Sequence, residues 1–156
     1  LARLGDGRFL AIRESADGWP DRGRHRALIF PGDPIEHREA MAFTLQVEPG
    51  FSPVDAAQIP DGRVLVLLRR ITWPLPIRFE SAIAVFDPRR ASAGDVVAAR
   101  TLAKIAPPMP SDNYEGLGLA PGPQGRIAAW LIADPNGSAF QRNLLMLLSF
   151  DPAAIK

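Results

Sequence analysis

The chain has no cysteine, one tyrosine and two histidines in 156 residues. Without cysteine, disulfide staples and thiolate metal sites are excluded, and the sequence carries no mark of its redox compartment. Neither sign of charge is in excess: 18 lysines and arginines stand against 17 aspartates and glutamates, a net of +1 at pH 7. That balance excludes the broad basic field by which proteins hold nucleic acid or anionic membranes, so any charge-based recognition must be local. No apolar run reaches the ~18 residues of a membrane-spanning helix. There is no Gly-x-x-x-x-Gly-Lys phosphate cradle, and none of Ser15, Ser52, Ser81, Ser111 and Ser138 sits in a Gly-x-Ser-x-Gly turn, which argues against a serine nucleophile. Aromatic residues make up 8% of the chain and form no stacking platform for single-stranded nucleic acid.

Proline and glycine are abundant instead, at 16 and 13 residues, and they cut the sequence into short apolar runs with little room for long helices. The chain reads as all-β. Residues 1–14, "LARLGDGRFLAIRE", match residues 56–69, "AAQIPDGRVLVLLR", at an offset of 55 with Asp-Gly-Arg in register. A looser third copy, "EGLGLAPGPQGRIAAWLIAD" over 115–134, keeps both apolar strands and lengthens the turn between them. Asp-Gly supplies the positive φ angles of a tight turn, so each copy predicts a β-hairpin. Further strands are predicted at 26–30 and 41–47 in the first unit, 79–87 and 95–105 in the second, and 143–151 in the third. Four strands per unit is the pattern of a β-propeller blade. The expected architecture is about three four-stranded antiparallel blades, near 1–50, 51–108 and 109–156, the last incomplete, as part of a larger propeller. Leu1 already lies in a strand-like run without an initiator methionine, so further sequence, including the strand missing from the third unit, is expected upstream.

In a meandering blade the start of the first strand and the end of the second share one face, with the hairpin turn on the other. Matching Ile59 to Leu119 puts Asp55 and Glu115 at strand starts, and Glu14, Arg69 with Arg70, and Asp134 at second-strand ends. Charges at matching places in successive repeats predict one charged rim around a central channel. Ordinary solvation of strand ends is the alternative. His25 and His37 fall in separate polar stretches without metal-ligand spacing and are expected to be exposed loop residues. Trp19 and Trp73 are expected in long loops on the rim side, packed against those loops, and Trp130 in the core.

"DNYEGLGL" (112–119), then a strand ending in "IADPN" and "FQRNLLMLLSFD" (140–151), resembles the C-terminal signature of the esterase-like phytase domain, a bacterial β-propeller family. "PVDAAQIPDGRVLVLLRR" (53–70) is similar to that family's preceding blade, so the resemblance spans nearly the whole chain as the C-terminal half of such a domain. The resemblance implies a secreted or periplasmic propeller related to calcium-dependent phytases. Glu115 matches the family's glutamate, Asn113 and Tyr114 its flanking pair, Asp55 the acidic start of the preceding blade, Arg69 and Arg70 the paired arginines, and Gln141 with Arg142 the later Gln-Arg. One departure is that Asp134-Pro135-Asn136 has proline where the family has a second aspartate, which removes one oxygen ligand and stiffens the loop.

The residue types fit this chemistry on their own terms. Calcium takes about six to eight oxygen ligands, for which Glu14, Asp55, Asp112, Glu115 and Asp134 are candidates. Phosphate esters call for the planar fork of arginine, offered by Arg69, Arg70 and Arg142. Glu115 with these arginines forms the candidate catalytic set, and Asn113, Tyr114 and Gln141 the substrate contacts. In a calcium-assisted reaction, metal-bound water attacks phosphorus while arginines neutralise the developing charge. The same groups also make a structural alternative, an ion-pair plug tying blades together. Three functions therefore stay open: a hydrolase of phosphate or related esters, small anionic substrates, acting at the channel mouth with or without calcium; a non-catalytic propeller binding a small ligand, glycan or protein there; and a lactonase-like metal-dependent propeller enzyme.

Overall fold

Three short turns set the shape of the chain. In the computed structural model, which describes residues 1–18, 20–72, 78–136 and 141–155, Gly7 and Gly62 of the two Asp-Gly-Arg triplets take φ of +89° and +93°, a region that side chains with a Cβ resist. The turns close alike: Leu4 N donates to Arg8 O at 2.8 Å and Ile59 N to Arg63 O at 2.9 Å. Asp6 and Asp61 each accept the backbone N–H two residues on, at 3.1 and 3.0 Å, and the arginine beside each holds its carboxyl below the ordinary 3.8. The third turn, expected to be longer, has the same length: Gly122 N donates to Arg126 O at 2.8 Å around a 3₁₀ turn at Pro123–Gly125, with Gln124 and Gly125 at positive φ.

Twelve strands follow from these hairpins: β1 (Ala2–Arg3), β2 (Phe9–Ile12), β3 (Arg24–Phe30), β4 (Met41–Gln46), β5 (Ser52–Gln58), β6 (Val64–Thr72), β7 (Arg78–Phe86), β8 (Val96–Ala98), β9 (Arg100–Ile105), β10 (Tyr114–Pro121), β11 (Ile127–Ala133) and β12 (Leu145–Phe150). They form a first sheet ordered β1-β2-β3-β4-β8, a second ordered β5-β6-β7-β9 and a third ordered β10-β11-β12. No α-helix occurs among the described residues. The protein is all-β, and its consecutive antiparallel meanders stack as propeller-like blades do. Trp19 and Trp73 lie outside the described residues.

The second sheet is apolar on both faces, and this makes it the middle layer. Val64 to Leu68 of β6 are buried without interruption. Their alternation sends Val64, Val66 and Leu68 into one cluster with Leu10, Ile29, Phe43 and Leu45 of the first sheet. Leu65 and Leu67 enter a second cluster with Ile127, Ala129 and Leu131 of the third sheet.

Three expectations need correction. The stretch 95–105 is two strands rather than one: β8 runs parallel to β4 on the edge of the first sheet, while β9 completes the second sheet beside β7. Backbone bonds from Thr44 N to Asp95 O and from Ala99 N to Gln46 O, both 2.8 Å, hold that crossing, which covers an otherwise open edge. His25 is no loop residue but part of β3, fully buried, its ring nitrogens 3.2 Å from Arg13 O and 3.1 Å from Phe51 O. His37 is exposed, as expected. Trp130 is not core: it is 40% exposed on the outer face of the third sheet.

Leu67 is fully buried between the second and third sheets, so Leu67→Ala is expected to lower the unfolding free energy by about 2–5 kcal/mol. Denaturant melts of the two proteins measure this, and a loss below about 1 kcal/mol, the scale of a surface change, would contradict the layered packing.

A candidate rim of paired charges

Two irregularities in the inner strands aim the acidic side chains. The register of β5 shifts between Pro53 and Asp55, and that of β10 shifts between Tyr114 and Gly116. The extra residue is Val54 in β5 and Glu115 itself in β10, and the strand registers set Asp55 level with Gly118 rather than with Glu115, so the repeat match of the two carboxylates does not hold and each stands by a bulge at its own place. Bulges re-aim side chains in this way. Asp55 spends both oxygens on backbone donors, Oδ1 accepting from Ala56 N at 2.8 Å and Oδ2 from Leu117 N at 2.7 Å, so it staples β5 to β10.

Glu115 meets Arg69. The Arg69 guanidinium, 17% exposed, donates from Nη2 to Glu14 Oε1 at 2.7 Å, and from Nη1 to Asn113 Oδ1 at 2.5 Å and to Glu115 Oε1. Buried Asn113 in turn donates from Nδ2 to Glu115 Oε1 at 2.9 Å and to the Asp134 carbonyl at 3.1 Å. Glu14 comes from the first sheet, Arg69 from the second and Asn113 with Glu115 from the third. The structure thus joins three of the expected rim residues, Glu14, Arg69 and Glu115, through Asn113, with Asp134 contributing its backbone.

Beside this network, buried Asp112 accepts from Asn113 N at 2.9 Å and from Arg142 N at 3.0 Å. The Arg142 side chain reaches it only at 3.7 Å and is 64% exposed. Gln141 Oε1 accepts from Asn136 Nδ2 at 3.4 Å, and Asp134 Oδ1 from Asn136 N at 2.8 Å.

Two expected site residues lie elsewhere. Arg70, one residue along β6 from Arg69, projects from the opposite face of the sheet. Its guanidinium lies 4.4 Å from the centroid of the Phe51 ring and pairs with Glu80 and, at 3.9 Å, with Glu48, which also binds Lys104 at 2.7 Å. Glu48, Phe51, Glu80 and Lys104 were not singled out from the sequence, although Glu80 stands directly across from Arg70 in the β6–β7 hairpin. Tyr114 is fully buried, with its hydroxyl donating to Pro110 O at 3.2 Å. Burial, and then the charge of Asp112, push its phenol above the ordinary 10.0.

The carboxylates do not form a calcium cage in this arrangement. Among the described residues no three histidine, aspartate or glutamate side chains gather to hold a metal. The place where Glu14 and Glu115 converge is filled by the guanidinium of Arg69, and Asp55 and Asp112 accept backbone N–H groups. What the cluster does chemically is neutralise charge across three sheets while leaving Arg142 facing solvent.

The profile of the phytase-like family, described as esterase-like activity of phytase, matches residues 1–137. The chain belongs to the phytase-like family. No curated protein and no solved structure matches it. The match takes in Glu14, Asp55, Arg69, Asn113 and Glu115, whereas Gln141 and Arg142 lie beyond it.

For this phytase-like chain, Glu115→Gln removes one of two carboxylates on Arg69, and the half-exposed setting limits the loss to about 1 kcal/mol. Arg69→Met strands both carboxylates and is expected to cost about 2–3 kcal/mol. Thermal melts with calcium and with chelator check both; equal losses in the two media are the expected result, and a loss confined to calcium would overturn the ion-pair assignment. Tyr114, the sole tyrosine, gives a second test. Because its folded pKa is raised above 10.0, the unfolded chain ionises first, so stability holds below that pH and declines as the pH rises through it. Alkaline ultraviolet titration should show a phenolate step above 10.0 in the folded protein, and a step at the ordinary value would contradict the burial.

Proposed function

We propose that this rim is the recognition surface of a phytase-like hydrolase for phosphate or related esters, with Arg142 as the residue that receives the anionic group. The observation that carries the reading is the contrast between the two arginines at the rim. Arg69 is enclosed by Glu14, Asn113 and Glu115, whereas Arg142 is 64% exposed and only 3.7 Å from its nearest carboxylate, Asp112. An exposed guanidinium anchored at one side keeps a planar fork for two ester oxygens. In this reading Arg69 and Asn113 hold Glu115 toward the bound ester, Glu115 orients the attacking water, and Gln141 adds a polar contact. No step is assigned to calcium, because Arg69 stands where the carboxylates meet. Membership of the phytase-like family supports the hydrolytic reading, and the resemblance read from the sequence supports a periplasmic or secreted setting.

A non-catalytic binding module is the second reading, and the closed Arg69–Glu115 pair favours it, since that carboxylate is already engaged by a guanidinium and by the Asn113 amide. One experiment separates the two. Calorimetric titration with inorganic phosphate and with a phosphomonoester, alongside turnover of a chromogenic phosphomonoester, is run on the wild type and on Arg142→Ala. Losing one charge-assisted contact is expected to weaken binding about tenfold to a hundredfold. Binding with turnover supports the hydrolase, binding without turnover leaves the binding module, and unchanged binding in Arg142→Ala removes the site from this arginine.

A further inference from the structure

The charges around Arg142 narrow the kind of ester it can take. Hydrogen bonds tie this arginine into the rim: its backbone N–H donates to Asp112 Oδ2 at 3.0 Å, and the next residue, Asn113, holds both Glu115 and Asp134. Asp134 N donates to Asn113 O at 2.9 Å, so the two main chains are fastened as well. Glu115 and Glu14 share Arg69. The connected group contains the carboxylates of Glu14, Asp112, Glu115 and Asp134 and the guanidiniums of Arg69 and Arg142, so two negative charges are in excess. Adjoining pairs add nothing to the balance, because Arg13 is matched by Asp17, Arg70 by Glu80 and Lys104 by Glu48.

Arg142 does not make up that excess. Its Nε lies 3.7 Å from Asp112 Oδ2, so part of its charge is already answered, and what it offers a ligand is a planar set of donors within a negative surround. The donors of Arg69 and Asn113 to Glu14 and Glu115 all fall on Oε1, and among the described residues Oε2 of each accepts no hydrogen bond. A phosphodiester carries one negative charge, which one guanidinium matches. A phosphomonoester carries nearly two at neutral pH, its second pKa being about 6. The additional charge meets carboxylates without a further cation to offset it.

We propose that this rim selects phosphodiesters, with their single negative charge, over phosphomonoesters and polyphosphorylated compounds. The inference rests on Arg142 as the receptor of the anionic group and names the ester class of that same site. The guanidinium fork supplies hydrogen bonds that any phosphate group accepts, so recognition of phosphate is kept. The excess of carboxylates penalises each charge beyond the first. Because Glu14, Asp134 and Arg142 are exposed, that penalty acts partly through solvent and weakens as salt is added.

Calorimetric titration with dimethyl phosphate, its isomer ethyl phosphate and inositol hexakisphosphate tests this, at about pH 8, where a monoester is fully dianionic. The wild type is expected to bind dimethyl phosphate about fivefold to tenfold more tightly than ethyl phosphate, and the hexakisphosphate no more tightly than ethyl phosphate. In Glu14→Gln with Asp134→Asn, which removes two carboxylates without touching Arg142, the preference should fall to about twofold or less. About 1 M salt, with a screening length of about 3 Å, should do the same to the wild type and decides the matter even if circular dichroism shows the double variant unfolded. Ethyl phosphate binding as tightly as dimethyl phosphate, or the hexakisphosphate binding tightest, overturns the proposal. So does a preference that survives both salt and charge removal, since shape would then be its cause. Arg142→Ala separates this inference from the reading beneath it. If it weakens both isomers but the wild type shows no preference, only the diester inference falls; if it weakens neither, or if neither isomer binds the wild type, the assignment of Arg142 falls and the inference with it.

Discussion

One guanidinium joins all three sheets. Apolar contact between stacked sheets is strong but non-directional, and alternating aliphatic faces tolerate sliding by fractions of a residue. The Arg69 fork tolerates much less: its donors must meet Glu14 from one sheet and Asn113 with Glu115 from another at hydrogen-bond distance. The two apolar clusters therefore hold the layers together, and the rim network sets where they stop relative to each other. Asp55 assists by fastening β5 to β10 through the Leu117 amide.

The functional difference between Arg69 and Arg70 comes from the two-residue period of β6. Adjacent in sequence and alike in chemistry, they leave the sheet on opposite faces. One enters a three-sheet network and the other lies against Phe51 between two carboxylates. In a strand a pair of arginines is rarely one binding unit. Arg142 differs from both because it lies in no strand: a backbone bond to Asp112 fixes its main chain, while its guanidinium, 3.7 Å from the same carboxylate, is 64% exposed.

Much of this was legible because turns and alternation are local. Asp-Gly-Arg predicts two hairpins, and the repeat predicts that Glu14, Arg69 and Glu115 share an end. The failures also have local causes. Residues 95–105 contain no glycine, proline or other turn residue beyond Asp95, so nothing in their chemistry announces that the run changes sheets near Ala99. A strand starting at residue 26 leaves His25 outside it; the strand starts at Arg24, and extending its alternation back from Ile29 and Ala27 puts His25 on the buried face. Trp130 faces outward because Ala129 and Leu131 on either side of it take the inner face of β11.

The excursion of β8 also changes what a repeat is in this protein. The chain leaves the second sheet after Phe86, runs along the outer edge of the first as Val96–Ala98, and returns to complete the second as Arg100–Ile105. A cut placed between the sequence repeats would deprive the first sheet of its edge strand. The shortest segment that keeps the first two sheets whole is thus not the blade but the run from β1 to β9, to which the third sheet is fastened by the Arg69 network and the second apolar cluster.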